Sequence, residues 1–259
     1  MSIVKIKKSD FIQSLEKGLN VIAIFDNEHQ RMTLTEVAKK VGLTRANARR
    51  ILLTLQHLGY VDYEDGKHFS LKAKVLCLGY SYLSSLSLNE LAHPFIQALV
   101  KDINESCSMT VLDGTDIVYI ARVQTKRIMT ISLGIGSRLP VHATSMGRVL
   151  LSGLEVNDLK KILDKITFEA YTTHTITNKQ ELLERINLVR EEGWALVDQE
   201  FEIGVRSIAC LVKDKYGKTL AALNISGHAS RVTKKEMIKN YLPSLKKTVE
   251  HIENALHKL

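Results

Sequence analysis

Arg45, Asn47, Arg49 and Arg50 crowd into one short stretch, and their side chains are of the types that read base edges in duplex DNA. Arginine bonds bidentately to guanine and asparagine to adenine, each good pair giving about 1–3 kcal/mol of discrimination. Thr44, just before them, caps a helix, and with that helix's N-terminus it offers a place for a phosphate. A second set of polar residues lies far downstream. Asn224 and Ser226 are two apart on an expected strand, so both point to one side of a sheet. Ser207 approaches them if two strands pair through a turn at Tyr216-Gly217. A small organic acid needs a mostly apolar pocket with a few converging polar groups. The stretch Gly136–Ser145 leads into a helix whose N–H groups suit a carboxylate, and Arg122, Arg138 and Arg148 are candidate bidentate partners.

Other chemistries fit less well. Ala143-Thr-Ser-Met-Gly147 lacks the first glycine of a hydrolase nucleophile elbow, and nothing completes a triad around Ser145 and His142. Asp198 and Glu200 read as polar contacts or structural hydrogen bonds rather than an acid–base pair. No histidine pair has metal-ligand spacing, and no phosphate-binding glycine loop follows a strand. Met146 and Trp194 read as core residues. No catalytic residue, metal ligand or cofactor is therefore expected. Cys77, Cys107 and Cys210 are widely spaced and read as reduced, mostly buried thiols of a cytoplasmic protein.

These groups need elements to hold them. Residues 9–27 have helical spacing, with Ser9 and Asp10 as caps and Phe11, Leu15, Leu19, Ile22, Ala23 and Phe25 as the apolar face. Leu34, Val37, Ala38 and Val41 mark a short helix that Gly42 ends. Thr44 opens the next helix, which runs to Leu58. On it Ala48, Ile51, Leu52, Leu55 and Leu58 share a face, Ala46 and Arg50 point the other way, and Asn47, Arg49 and Leu53 flank them. Asp65-Gly66 then signals a hairpin within Val61–Leu71, with Lys67 and His68 at its tip. Together these form a helix–turn–helix with a wing, whose second helix enters the major groove.

Residues 72–88 read as a connecting helix with Ala73, Leu76, Cys77, Tyr80 and Leu83 on one face, followed by serines at 84, 85 and 87. Asn89 caps a long helix to about Glu105. Strands are expected at Met109–Leu112, Ile117–Val123, Ile128–Leu133, Trp194–Asp198, Ser207–Lys213 and Leu220–Ser226. Gly134, Gly136 and Pro140 mark a loop. Helices are expected at Ala143–Leu154, near 155–164 and 178–192, and at Lys234–Leu256. Strands and helices arranged so imply a mixed domain around one sheet. The division expected is 8–71, 72–88 and 89–259.

Charge supports a polyanion partner for the first part. The 259 residues carry a formal net charge of +8, and residues 1–74 hold 13 Lys/Arg against 8 Asp/Glu. Within 31–50 there are six basic side chains and a single acid, Glu36. No apolar run reaches the roughly 18–20 residues that span a bilayer, so no membrane partner is expected.

The stretch Leu34–Val61 resembles the winged helix–turn–helix of IclR-type transcriptional regulators. Gly136-Ser-Arg-Leu-Pro-Val-His-Ala-Thr-Ser-Met-Gly-Arg148, Asp198-Gln-Glu-Phe-Glu-Ile-Gly-Val-Arg-Ser-Ile-Ala209 and Ala221-Ala-Leu-Asn-Ile-Ser226 resemble that family's effector-domain signatures. The likeness covers about residues 8–255 and is strongest to the Pca/Pob-like branch, which controls breakdown of hydroxylated aromatic acids. Ser106–Gly114, Ile117–Arg122 and Ala46–Arg50 carry that finer match. The resemblance implies an α+β chain: a winged helix–turn–helix joined by a linker helix to a GAF-like effector domain, assembled as dimers or dimers of dimers. The implied partners are double-stranded operator DNA and a small organic acid, aromatic or keto. Contacts to DNA fall on Thr44, Arg45, Ala46, Asn47, Arg49, Arg50 and Lys67. Contacts to effector fall on Leu139, His142, Ala143, Thr144, Ser145, Asp198, Ser207, Asn224 and Ser226. Where the family binds small keto acids, serines commonly hold both positions of the last pair; here Asn224 stands at one. Two alternatives stay open: a sensor domain that keeps enzymatic activity on a small acid, and a DNA-binding protein that ignores ligands.

Overall fold

A computed structural model describes residues 6–26, 28–85, 87–125 and 133–257. The chain divides into two units, Met1–Ser85 and Leu86–Leu259.

The first unit comprises α1 (Gln13–Ala23), β1 (Arg31–Thr33), α2 (Leu34–Lys40), α3 (Arg45–His57), β2 (Val61–Glu64), β3 (His68–Leu71) and α4 (Leu76–Ser85). A capping box starts α2: the Thr33 hydroxyl accepts from the Glu36 N–H, and the Glu36 carboxylate accepts from the Thr33 N–H at 2.7 Å. After α2 the chain reverses at Gly42, whose φ of +64° places it in the region glycine tolerates. The Leu43 N–H then returns to the Ala38 carbonyl at 2.9 Å. The Thr44 hydroxyl accepts from the Asn47 N–H at 3.3 Å and so opens α3. Val21, Val37, Ala38, Ala48, Leu52, Val61 and Phe69 close the core. Asp65 and Gly66 both have positive φ, and the Lys67 N–H bonds the Glu64 carbonyl at 3.1 Å, a turn whose twist suits a hairpin. The resulting sheet has the order β1-β3-β2.

Two helices depart from expectation. The segment expected as a helix over 9–27 is helical only from Gln13 to Ala23, with Ile12 at the N-cap and no side-chain cap. Ser9 and Asp10 sit in a preceding turn, tied by the Asp10 N–H to the Lys7 carbonyl. Of the expected inward face, Phe11, Leu15 and Leu19 are exposed, the last two more than half. On α4, Leu76 and Tyr80 are 74% and 68% exposed. Periodicity identifies an apolar face but not what covers it, and nothing among the described residues of this unit covers these side chains. The side chains of Ser84, Ser85 and Ser87 lie outside the described set.

The second unit begins with α5 (Ser87–Ile103) and contains one antiparallel six-stranded sheet in the order β6-β5-β4-β9-β8-β7. Its strands are β4 (Ser106–Asp113), β5 (Asp116–Val123), β6 (Arg138–Pro140), β7 (Trp194–Asp198), β8 (Val205–Lys213) and β9 (Thr219–His228). Helix α5 and the C-terminal α10 (Leu242–Leu256), which follows the short α9 (Lys234–Glu236) and a π-helical turn at Met237–Tyr241, pack on one face. On the other face lie α6 (Ser145–Ser152), α7 (Val156–Leu163) and α8 (Lys179–Glu192). The strand expected at Ile128–Leu133 falls on residues outside the described set except Leu133, which is in no strand. Beside β5, a short strand forms at Arg138–Pro140, pairing Asp116 with Pro140. Helix α6 is almost wholly buried and rests on the turn before it: a Cβ at Gly147 would lie 2.2 Å from the Val141 carbonyl oxygen. Only glycine permits that approach.

Candidate functional site

Thr44, Arg45, Ala46, Asn47, Arg49, Arg50 and Lys67 are all exposed. Ala48, Leu52 and Leu55 fix which way α3 faces, because only they are buried on it. Among the described residues no carboxylate pairs with Arg45, Arg49, Arg50 or Lys67. Two other cations of this unit behave differently: Arg31 reaches Glu64 at 2.9 Å and Asp65 at 3.2 Å, and Lys72 reaches Asp62 at 3.5 Å. Arg45, Arg49, Arg50 and Lys67 leave positive charge unanswered on α3 and at the wing tip, the surface a duplex backbone would meet. Asn47 and Arg50 also border an apolar groove formed by Leu15, Leu19 and Ile22 of α1 with Ile51 and Leu58.

In the second unit the sheet face under α6 carries an unusual number of polar side chains. Strands β8 and β9 pair through the turn at Tyr216-Gly217 and set Ser207 opposite Ser226, which in turn faces Ser106 on β4. One step along, Asn224 faces Ser108, and Ser108 faces Arg122 on β5. Direct cross-strand partners share a face. The Asn224 Oδ1 accepts from the Ser108 N–H at 3.0 Å, leaving its amide hydrogens as remaining donors. Above them Thr144 caps α6, its hydroxyl accepting from the Gly147 N–H at 3.2 Å, and the Ser145 and Ser207 hydroxyls meet at 2.8 Å. A cavity of about 50 Å³ lies between helix start and sheet. Leu139, Ala143, Thr144, Ser145, Ser207, Asn224 and Ser226 line it, as do the apolar Tyr119, Leu133, Met146, Val197, Phe201 and Val205.

Two of the expected effector contacts lie elsewhere. Asp198 does not line the cavity: Arg206 Nε donates to its carboxylate at 2.8 Å and Lys234 Nζ lies at 3.0 Å. Burial alone would raise the Asp198 pKa, but these two cations outweigh it and hold it low. His142 also turns away, its ring placed against Phe168 and Tyr171 and its Nε2 at 3.1 Å from the Glu169 carbonyl. Burial holds its pKa below the ordinary 6.5. Reading these two from sequence needed the positions of Arg206 and Phe168, which no spacing reveals.

The three candidate arginines separate cleanly. Arg138 is a surface group between Asp113 and Asp116. Arg148 is buried and paired with Glu200, whose carboxylate borders the cavity. Arg122 lines the cavity itself. Met146 is core, as expected, but also faces the cavity and accepts from the Thr110 hydroxyl at 3.3 Å. Trp194 is half-buried. Cys107 and Cys210 are buried and Cys77 is exposed. Among the described residues, no helix is long and apolar enough to cross a membrane, and no group of three or more His, Cys, Asp or Glu could hold a metal ion.

Comparison with known proteins addresses both units. The model of the IclR helix-turn-helix domain matches residues 14–65, and that of the bacterial transcriptional regulator IclR C-terminal domain matches residues 80–254. The chain is 41% identical over 237 residues to the Pca regulon regulatory protein of Pseudomonas putida, covering 91% of this chain and 81% of that protein. A crystal structure from Rhodococcus sp. RHA1 superposes with a TM-score of 0.83 at 48% identity, covering 95% of this chain and 98% of that one. The inducer-binding domain of the PobR transcription factor from Acinetobacter, a double mutant in complex with 3-hydroxybenzoic acid, matches at 34% identity with a TM-score of 0.61. It covers 64% of this chain and 97% of that domain.

Proposed function

The chain belongs to the IclR family of bacterial transcriptional regulators, and on that premise we propose that it binds a roughly palindromic operator as a dimer or dimer of dimers, under the control of a small aromatic acid held in the second unit's cavity. Thr44, Arg45, Ala46, Asn47, Arg49 and Arg50 meet the major groove and its phosphates, and Lys67 meets the backbone beside it. The observation that carries this reading is that Arg45, Arg49 and Arg50 on α3 and Lys67 at the wing tip are all exposed, with no carboxylate paired to them among the described residues.

Assembly is supported by the uncovered apolar surface of α1 and α4. Leu15, Leu19, Leu76 and Tyr80 are each more than half exposed, a liability for a lone protomer and an asset for a second copy. Two copies related by a two-fold axis would set two α3 helices one or more helical turns apart.

The effector reading is supported by the cavity's mixture of apolar wall and converging hydroxyls. One relative is named as a Pca regulon regulatory protein and another as a p-hydroxybenzoate hydroxylase transcriptional activator, and one related inducer-binding domain is in complex with 3-hydroxybenzoic acid. Leu139, Ala143, Thr144, Ser145, Ser207, Asn224 and Ser226 are the contacts proposed. Such an acid shifts the protein between arrangements only by its differential affinity for them. The test is a thermal-shift screen of the purified chain against hydroxybenzoates, catechols, keto acids and dicarboxylates. Operator binding is then measured with and without any ligand that raises the melting point. A hydroxybenzoate hit that changes operator affinity is the expected result. Turnover of the acid by the purified protein would support the enzymatic alternative instead.

A further inference from the structure

Arg122 lacks the carboxylate partner that Arg138, Arg148 and Arg206 each have. Its Nη1 donates to the neutral Ser108 hydroxyl at 3.3 Å, its Nε is buried with no hydrogen-bond partner, and no carboxylate among the described residues pairs with it. A guanidinium so placed has lost water without gaining an anion, a cost that a bound carboxylate would relieve. Burial accordingly lowers its pKa. Glu200 and Glu202, in the loop between β7 and β8, also line the cavity, with Glu200 held by Arg148. The Ser145–Ser207 hydroxyl pair lies at its β8 side.

From this geometry we propose that the cavity is polarised along the sheet. On this view the effector is a monocarboxylate bound with its carboxylate on Arg122 at the β5 side, and with a hydroxyl on Ser207 and Ser145 at the β8 side. The inference deepens the effector reading above and rests on it. Strands β5 and β8 are three spacings apart, about 14 Å between backbones, and the arginine side chain spans part of that width. Tyr119, Leu139, Met146 and Val205 supply apolar wall for the ligand's middle.

The experiment uses the full chain and calorimetric titration with 4-hydroxybenzoate, its neutral amide 4-hydroxybenzamide, and unsubstituted benzoate. Wild type should favour the acid over the amide and the hydroxy acid over benzoate. Arg122→Gln should weaken 4-hydroxybenzoate by about tenfold to a hundredfold and erase the acid-over-amide preference, while the amide binds as before. Retained amide binding reports an intact cavity, and Arg122→Lys should restore part of the preference. Ser207→Ala should do the converse, erasing the preference for the hydroxyl and keeping that for the acid. An acid-over-amide preference that survives Arg122→Gln, or disappears in Ser207→Ala, overturns the proposed orientation. If wild type ignores hydroxybenzoates but binds a keto acid such as pyruvate in an Arg122-dependent way, the aromatic reading fails and the carboxylate assignment stands. Binding of no carboxylate at all overturns both.

Discussion

On α3, Arg45, Arg49 and Arg50 stand in solvent with no carboxylate among the described residues to pair with them. In the second unit, Arg148, Arg206 and Arg231 each end on a carboxylate of the fold: Glu200, Asp198 and Glu105. The same side chain thus serves two purposes, and its partner tells them apart. An arginine whose charge is answered inside the chain holds structure together. One left unanswered awaits a charge from outside, a phosphate at α3 and, on the proposal above, a carboxylate at Arg122. Each region predicts a different failure when its arginine is removed.

The largest effect is expected where the pair is deepest. Arg148 and Glu200 are both nearly inaccessible, and Arg148 also donates to the His142 carbonyl at 3.3 Å. Arg148→Ala strands the Glu200 carboxylate, and breaking a buried pair from one side costs about 3–5 kcal/mol. Denaturant unfolding of the second unit should show that loss. Arg148→Met combined with Glu200→Gln should recover most of it, because no charge is then left buried. A double variant no better than the single one would mean that packing, and not charge, holds α6 to the loop after β7.

Arg50→Ala probes the other region and should leave stability nearly unchanged. Its affinity for the cognate operator should fall by about 1–3 kcal/mol, and by much less for random duplex. Anisotropy titrations with both fragments measure the difference. Equal losses on the two would demote Arg50 to a phosphate contact and weaken the comparison. A change in unfolding free energy would break it.

The difference between the regions also explains what could be read from sequence. Helix α3 was legible because its signals are local: a threonine cap, a glycine turn before it, and an apolar face at helical spacing. The pairing of Ser207 with Ser226 was legible because one turn at Tyr216-Gly217 sets it. Strand β1 was missed at three residues, although Thr33 and Glu36 already had capping-box spacing. Strand β6 was read as loop because it is equally short and owes its existence to β5. Which of Arg122, Arg138 and Arg148 enters the cavity depended on cross-strand register and on acids far away in the chain. The apolar faces of α1 and α4 were legible as faces, but periodicity is silent about what covers them.

Smaller effects sharpen the contrast. Thr44→Ala removes an acceptor for the Asn47 N–H and should cost about 1 kcal/mol of first-unit stability, seen as a lower denaturation midpoint. It should also weaken operator binding through a less ordered start of α3. Acid should act on the second unit through His142. Its folded pKa lies below 6.5, so the unfolded chain binds the proton more readily. Its contribution is therefore complete above that pH and is lost as pH falls below it. His142→Gln should flatten the fall in melting temperature between neutral and mildly acidic buffer.

The smallest effect belongs to Arg31, and it tests the rule within one unit. Arg31 is as open to solvent as the α3 arginines, with a side chain 51% exposed, yet it bridges Glu64 and Asp65 beside the wing. Exposed pairs contribute roughly 0–1 kcal/mol, so Arg31→Ala should barely move the melting temperature. Its effect on DNA is the sharper measure. Each phosphate contact adds about one to the slope of log affinity against log salt. Arg49→Ala should lower that slope by about one if Arg49 meets a phosphate. Arg31→Ala should leave it near the wild-type value, because that charge is already spent on the wing's own carboxylates. A slope lowered equally by both would show that pairing inside the fold does not decide which arginines meet DNA, and exposure alone would then be the better guide.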